Sequence, residues 1–253
     1  RPGLYATTKH FLDDMGLSSL QQLPTLDSLP IGPDLLPGLA DLAASGSEIE
    51  PEESDVGDDV EHTYLPCGPT QASLLVVTAD GQEIEAASIG FEGAIGGVVS
   101  AGFKPAYGRA VVRVPGHAFC LPTAKLEEVK LRHAVVGDLF DRAADTFIAQ
   151  MMQVAACNAL HPIEQRVCRW LLFAHDRSGK EPIRLTQETL AQMLGVQRTT
   201  VSAVARVLQD AKVIHIGRGK VEVLDRPGLE KRACECHAAV EAHFQRILPP
   251  HER

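Results

Sequence analysis

The sequence predicts an α+β chain: a shortened β-roll (jelly roll), one long helix with a narrow apolar seam, and a C-terminal winged helix-turn-helix. Three observations predict it. Strand-like runs broken by Asp-Gly and Pro-Gly turns fill residues 63–122. Apolar residues then recur at steps of four and three between residues 136 and 154. Finally, two helical segments meet at Gly195 and are followed by a short hairpin with a basic tip.

The chain's 253 residues suffice for two ordinary domains. No apolar run approaches the ~20 residues of a membrane-spanning helix, so no membrane partner is expected. No basic segment leads into an apolar stretch, as a secretory signal would require. Six cysteines at 67, 120, 157, 168, 234 and 236 are too scattered for a secreted disulfide scaffold, which points to a reduced, cytoplasmic setting. The net charge of −9 is uneven. Residues 1–62 carry 2 basic and 13 acidic side chains, whereas residues 161–226 carry 11 and 7, a balance of +4. A nucleic-acid contact is therefore expected in the basic block.

Along the chain, residues 1–29 look partly helical: Thr7-Thr8 can cap a helix carrying Phe11 and Leu12, which Gly16 can end. Residues 30–62, with Pro30, Pro33, Pro37, Pro51 and an acidic run, read as a linker that buries too little to offset its ordering entropy. Within residues 63–122, Ala72–Ala79 and Gln82–Ile89 flank the Asp80-Gly81 turn, and Arg109–Val114 and His117–Leu121 flank Pro115-Gly116. This stretch is about half the length of a full β-roll, so an exposed sheet edge is expected unless residues 30–62 pair with it. Residues 123–160 read as a helical lead-in and a long helix whose seam is Val136, Phe140, Ala143, Phe147, Met151 and Val154. A helix packed on its own roll would explain the seam, but its length favours a homodimer interface. His161-Pro162 breaks that helix, and a new one runs from about Pro162 to Asp176.

The most informative segment is Thr186–Ala211. Thr186 caps Gln187–Leu194; Gly195 supplies the positive φ of a tight helix–helix turn; and Ala191 is small where the backbones approach. Leu190, Leu194, Val196, Val201 and Val204 fill the shared core. The second helix, about Gln197–Ala211, presents Gln197, Arg198, Thr199, Ser202 and Arg206 on one face, as a recognition helix does in a major groove. Arg198 is the expected guanine contact, because its fork matches O6 and N7. Strands Val213–Ile216 and Val221–Leu224 form a wing whose tip, with Arg218 and Lys220, faces the phosphate backbone. Thr186 and the helix ends can donate to phosphate.

The stretch "HPIEQRVCRWLL…LTQETLAQMLGVQRTTVS", with the order of elements before it, resembles the cyclic AMP receptor / fumarate-nitrate regulator (Crp/Fnr) family over about residues 63–248. The resemblance implies a cyclic-nucleotide-binding-like roll over 63–122, a dimerisation helix over 123–160 and a winged domain over 161–248. It also implies a homodimer that reads a pseudo-palindromic operator in double-stranded DNA and regulates transcription, with RNA polymerase left open as a further partner. Within it, Arg198 matches the recognition arginine and Thr186 a phosphate-contacting threonine. The chain departs from the best-known members at Thr199 and Ala203, where they carry glutamate and arginine, so a different operator is implied. Gly90-Phe91-Glu92 and Gly108-Arg109-Ala110 depart from the nucleotide-binding pattern, and the N-terminal cysteine cluster of iron–sulfur members is absent. No cofactor is therefore expected, cyclic nucleotide included. Residues 1–29, "RPGLYATTKHFLDDMGLSSLQQLP", instead resemble the C-terminal end of segregation and condensation protein B, which implies, as an alternative, a chromosome-segregation adaptor that binds a condensin kleisin.

Cys234-Glu235-Cys236-His237 invites a metal reading, but cysteines two apart point to different sides of a helix and no second ligand pair is visible in sequence. No metal site is therefore expected. His117 and His161 lack a triad arrangement, and Gly93–Gly97 lacks the Lys-Ser/Thr of a phosphate loop, so catalysis is not expected either.

Overall fold

Strands form where small and branched residues are punctuated by turn residues. The computed structural model describes residues 47–48, 57, 59–96, 105–179 and 181–248, all within the unit Ser45–Arg253. Six strands come first: β1 (Ser47–Glu48), β2 (His62–Cys67), β3 (Gln71–Val77), β4 (Glu83–Ile89), β5 (Arg109–Val114) and β6 (His117–Pro122). They build two antiparallel three-stranded sheets, ordered β1-β6-β2 and β4-β3-β5. The β3–β4 hairpin closes at Gly81, whose φ is +80°. Its strands end sooner than the alternation suggests, because Thr78 and Gln82 turn inward to bond each other, the Thr78 N–H reaching the Gln82 carbonyl at 2.9 Å.

The linker expected over residues 30–62 is corrected in part. Ser47 and Glu48 pair with Ala118 and His117 on the open side of β6, and Asp59 bridges to Pro105. An unpaired strand edge offers hydrogen-bonding groups that even two residues of an acidic segment can satisfy. The expectations for residues 1–29, and for most of 30–58, lie outside the described residues.

The helical half follows as α1 (Thr123–Arg132), α2 (Ala134–Leu160) and α3 (Ile163–Arg177). His133, in extended conformation at φ −125° and ψ 96°, separates α1 from α2. His161 is extended at φ −101° and ψ 140°, as the clash with the Pro162 ring requires. Among the described residues, no helix is long and apolar enough to cross a membrane.

In α2, Val154 is buried, and Val136, Phe140, Ala143, Phe147 and Met151 are partly buried. Phe147 packs against Ala72, Ile89 and Ile95, and the Phe140 ring lies under the Lys130 ammonium at 5.2 Å. Gln150, on the same side, accepts from the Ser88 N–H at 3.1 Å. Val135, Leu139, Ile148, Met152 and Leu160, spread around the rest of the helix, are exposed.

Helix α3 organises the interior. Its residues join one core with Leu75 of β3 and the apolar side chains of the C-terminal domain. The Trp170 indole N–H donates to both oxygens of Glu85 at 2.9 and 3.0 Å, and the Ser73 hydroxyl donates to the same carboxylate. Although Glu85 is only partly buried as a residue, its carboxylate is enclosed there, and desolvation pushes its pKa above the ordinary range against those two bonds. At the far end of α3, Arg177 is buried and donates to Glu92 and to Ser88, the latter at 2.7 Å.

Two last helices, α6 (Arg226–Arg232) and α7 (Cys236–Ile247), close the fold, with α7 lying against α2. Asp176 ties them to α3: it accepts from Arg226 of α6 and pairs with His237 of α7 at 2.8 Å. Burial pushes the Asp176 carboxyl up, but the bonds from His237 and Arg226 outweigh it and hold the pKa at about 2, below the ordinary 3.8. A depressed folded-state pKa stabilises above the unfolded value and is lost as pH falls through the folded one. Asp176→Asn should therefore cost about 2 kcal/mol at neutral pH and flatten the acid limb between roughly pH 4 and pH 2. Urea unfolding of both proteins across that window checks this; parallel pH profiles would refute the linkage.

Candidate nucleic-acid interface

The helix-turn-helix is built by local chemistry. Thr186 is extended at φ −94° and ψ 154°, and its hydroxyl accepts from the Thr189 N–H, capping α4 (Gln187–Leu194). Gly195 then takes the left-handed conformation at φ 64° and ψ 40°. The Val196 N–H returns to the Ala191 carbonyl at 3.0 Å, and Arg166 of α3 donates to the Leu194 carbonyl at 2.6 Å, so the last carbonyls of α4 are satisfied. Ala191 is 2% exposed, which lets α5 (Arg198–Asp210) cross close by. Leu190, Leu194, Val201 and Val204 are buried in the shared core, with Val196 packed at its edge.

Burying that side leaves the other outward. Gln197, Arg198, Thr199 and Arg206 are exposed. Positions 198, 199, 202 and 206 fall within about 100° of arc on the helix, one face. Ser202 is less available than its spacing suggests: its hydroxyl donates to Gln187 at 2.6 Å and to the Arg198 carbonyl at 3.0 Å, so it ties α5 to α4. Arg198 has one carboxylate neighbour, Glu188, at 3.8 Å, with both side chains largely exposed.

The wing is β8 (Ile214–Gly217) and β9 (Lys220–Val223), with Gly217 opposite Lys220 and a two-residue tip, Arg218-Gly219. Gly219 has φ +69°, a conformation that side chains resist. Arg218 and Lys220 are exposed. A further strand, β7 (Ile183–Arg184), pairs with β9 and places Arg184 opposite Lys220. The Leu185 N–H donates to the Gly219 carbonyl at 3.1 Å, which docks the tip beside the Thr186 cap. Sequence reading missed Arg184, although it stands two residues before the capping threonine; a two-residue strand carries no periodicity. The structure thus brings Thr186, Arg184, Arg218 and Lys220 to one end of the domain.

The charged residues of the two stretches that depart from the nucleotide-binding pattern are paired within the chain. Glu92 is held by Arg177, and Arg109 by Glu83 at 2.6 Å. The cavity beside Ser88, Glu92 and Phe147 measures about 20 Å³, room for one water. A different cluster does assemble. Cys234 and Cys236 meet Cys157 and His161, the second ligand pair that sequence order had hidden, whereas His237 turns away to Asp176.

Residues 165–232 match the Crp-like helix-turn-helix domain family. Over 72 residues the chain is 33% identical to the HTH-type transcriptional regulator Cmr of Mycobacterium tuberculosis, a match that covers 28% of each protein. In fold, the chain is similar to FixK2 from Bradyrhizobium japonicum, with a TM-score of 0.63 at 15% identity over 75% of this chain and 98% of that one. It is also similar to a Crp/Fnr-family transcriptional regulator from Eubacterium rectale, with a TM-score of 0.58 at 18% identity over 83% and 98%. Residues 165–232 are thus a Crp-like helix-turn-helix domain, with an outward arginine on a capped, glycine-hinged helix pair and a cationic wing, and the chain around it has the fold of these two solved structures.

Proposed function

We propose that the chain is a sequence-specific DNA-binding transcription regulator that acts as a homodimer on a pseudo-palindromic operator. The observation that carries this is the exposure of Arg198 in the first turn of α5, beside the cationic end formed by Arg184, Arg218 and Lys220. Arg198 and Thr199 read base edges, with Gln197 and Arg206 flanking them on the same face. Thr186, Arg184, Arg218 and Lys220 contact phosphates and set register, while Ser202 positions the reading helix. The name of the partial relative from Mycobacterium tuberculosis, an HTH-type transcriptional regulator, supports the same reading.

A homodimer supplies the two half-sites. In this reading the inward seam residues hold α2 on its own chain, and the exposed Val135, Met152 and Leu160, within about 100° of arc on the helix, meet the partner's copy. No effector step is assigned to the roll.

Arg198→Ala should cost about 1–3 kcal/mol on the preferred site and relax selectivity at one base position. Lys220→Ala should weaken all duplexes about equally and lower the salt slope by about 1. Selection of bound DNA from a random library, followed by salt-dependent binding of each variant, reads both; an unchanged site preference in Arg198→Ala would refute the assignment. Val135→Glu with Met152→Glu should shift the sedimenting species from dimer to monomer. A dimer unaffected by that pair would place the interface elsewhere.

A further inference from the structure

We infer that Cys157, His161, Cys234 and Cys236 form a structural zinc site, a Cys3His tetrahedron that fastens the C-terminal end of α2 to the start of α7. The inference is independent of the DNA-binding reading.

The four ligand atoms lie within 4.8 Å of one another. Two of the separations are the edges such a tetrahedron needs. The Cys157 and Cys234 sulfurs are 3.6 Å apart, and the Cys236 sulfur is 3.4 Å from Nδ1 of His161. With Zn–S near 2.3 Å and Zn–N near 2.0–2.1 Å, ideal S–S and S–N edges are about 3.8 and 3.6 Å. Cys157 and His161 stand four apart at a helix end, so they share one side. Cys234 and Cys236 flank Glu235 just outside and at the first residue of α7, where the backbone is not yet a regular helix and both sulfurs can turn to one point.

The surroundings suit a thiolate-rich centre. Cys157 and Cys236 are 0% exposed and Cys234 is 7% exposed. Nε2 of His161 faces the Glu235 carboxylate at 3.3 Å, which orients the ring so that Nδ1 presents its lone pair inward. The Gln153 amide donates to the Cys236 sulfur at 3.1 Å. Three thiolates, a neutral imidazole and a divalent cation leave one net negative charge. Arg166 and Arg169 lie close enough to Cys157 to act on its charge. Arg169 is 4% exposed, and its Nε has no hydrogen-bond partner among the described residues. A buried cation of this kind is stabilised by an anionic centre beside it. Four protein ligands leave no open position, which makes the site structural rather than catalytic.

Elemental analysis of the full chain, purified reduced and without chelator, should find one zinc per chain. Cobalt(II) added to the metal-free chain should give a thiolate-to-cobalt charge-transfer band and the intense visible bands of tetrahedral coordination. Cys157→Ala and Cys236→Ala should lose both the zinc and the spectrum, while Cys67→Ser and Cys168→Ala keep them. Because the ligand positions are buried, a second measurement uses the unaltered chain: modifying its thiols with a mercurial should release one zinc equivalent to a colorimetric chelator. A reduced chain that holds neither zinc nor cobalt overturns the inference. So does isolation with Cys157 and Cys234 joined in a disulfide, or metal retained after both ligand substitutions.

Discussion

Helix α3 is the constraint on which the remaining structure depends. Residues 167–174 are buried without interruption, so this helix has no face to spare for water. A helix enclosed on every side needs partners on every side. The β4-β3-β5 sheet supplies Leu75 and Val111; the helix-turn-helix supplies Leu190, Met193, Leu194, Val201 and Leu208; and α7 packs Val240 and Phe244 on Phe173. The sheet and the winged domain therefore do not hang on a bare linker after His161. They share one interior, and Trp170 reaches across it to the Glu85 carboxylate.

What the sequence revealed was what neighbouring residues decide among themselves. The Thr186 cap, the left-handed Gly195 and the small Ala191 are set by backbone conformation and fixed spacing, so the helix pair and its outward Arg198 were legible. The wing was legible for the same reason, since two short branched runs around Gly219 leave few other folds. The seam of α2 was legible as a stripe but not by its partner. A repeat of four and three says that one face is covered but not by what, and Phe147 packs against Ile89 and Ile95 of this chain.

Features assembled from distant segments were not legible. Cys157 and His161 read alone are a small core residue and a hinge histidine; Cys234 and Cys236 read alone are two thiols on different sides of a helix. Only the return of α7 onto α2 brings the pairs together. The motif's own His237 takes no part, because it belongs to the Asp176–Arg226 junction and sits tilted against Phe173, with ring centroids 4.7 Å apart. Likewise, nothing near Glu92 or Arg109 in sequence announces that Arg177, 85 residues on, pairs with the first, or that Glu83, on another strand, pairs with the second.

The same packing decides which way the reading helix faces. A side chain built on Gly195 would meet Ile84 of β4 at 3.6 Å, and Ser73 of β3 approaches the Met193 sulfur at 3.7 Å. The back of the helix-turn-helix thus rests on the sheet, and α5 presents its polar face elsewhere. On that face, an exposed pair such as Arg198 and Glu188 contributes about 0–1 kcal/mol. A bidentate arginine–guanine contact discriminates by about 1–3 kcal/mol. If α5 reads DNA as proposed, the base contact is the stronger of the two, and the exposed Glu188 at 3.8 Å does not keep Arg198 from a guanine.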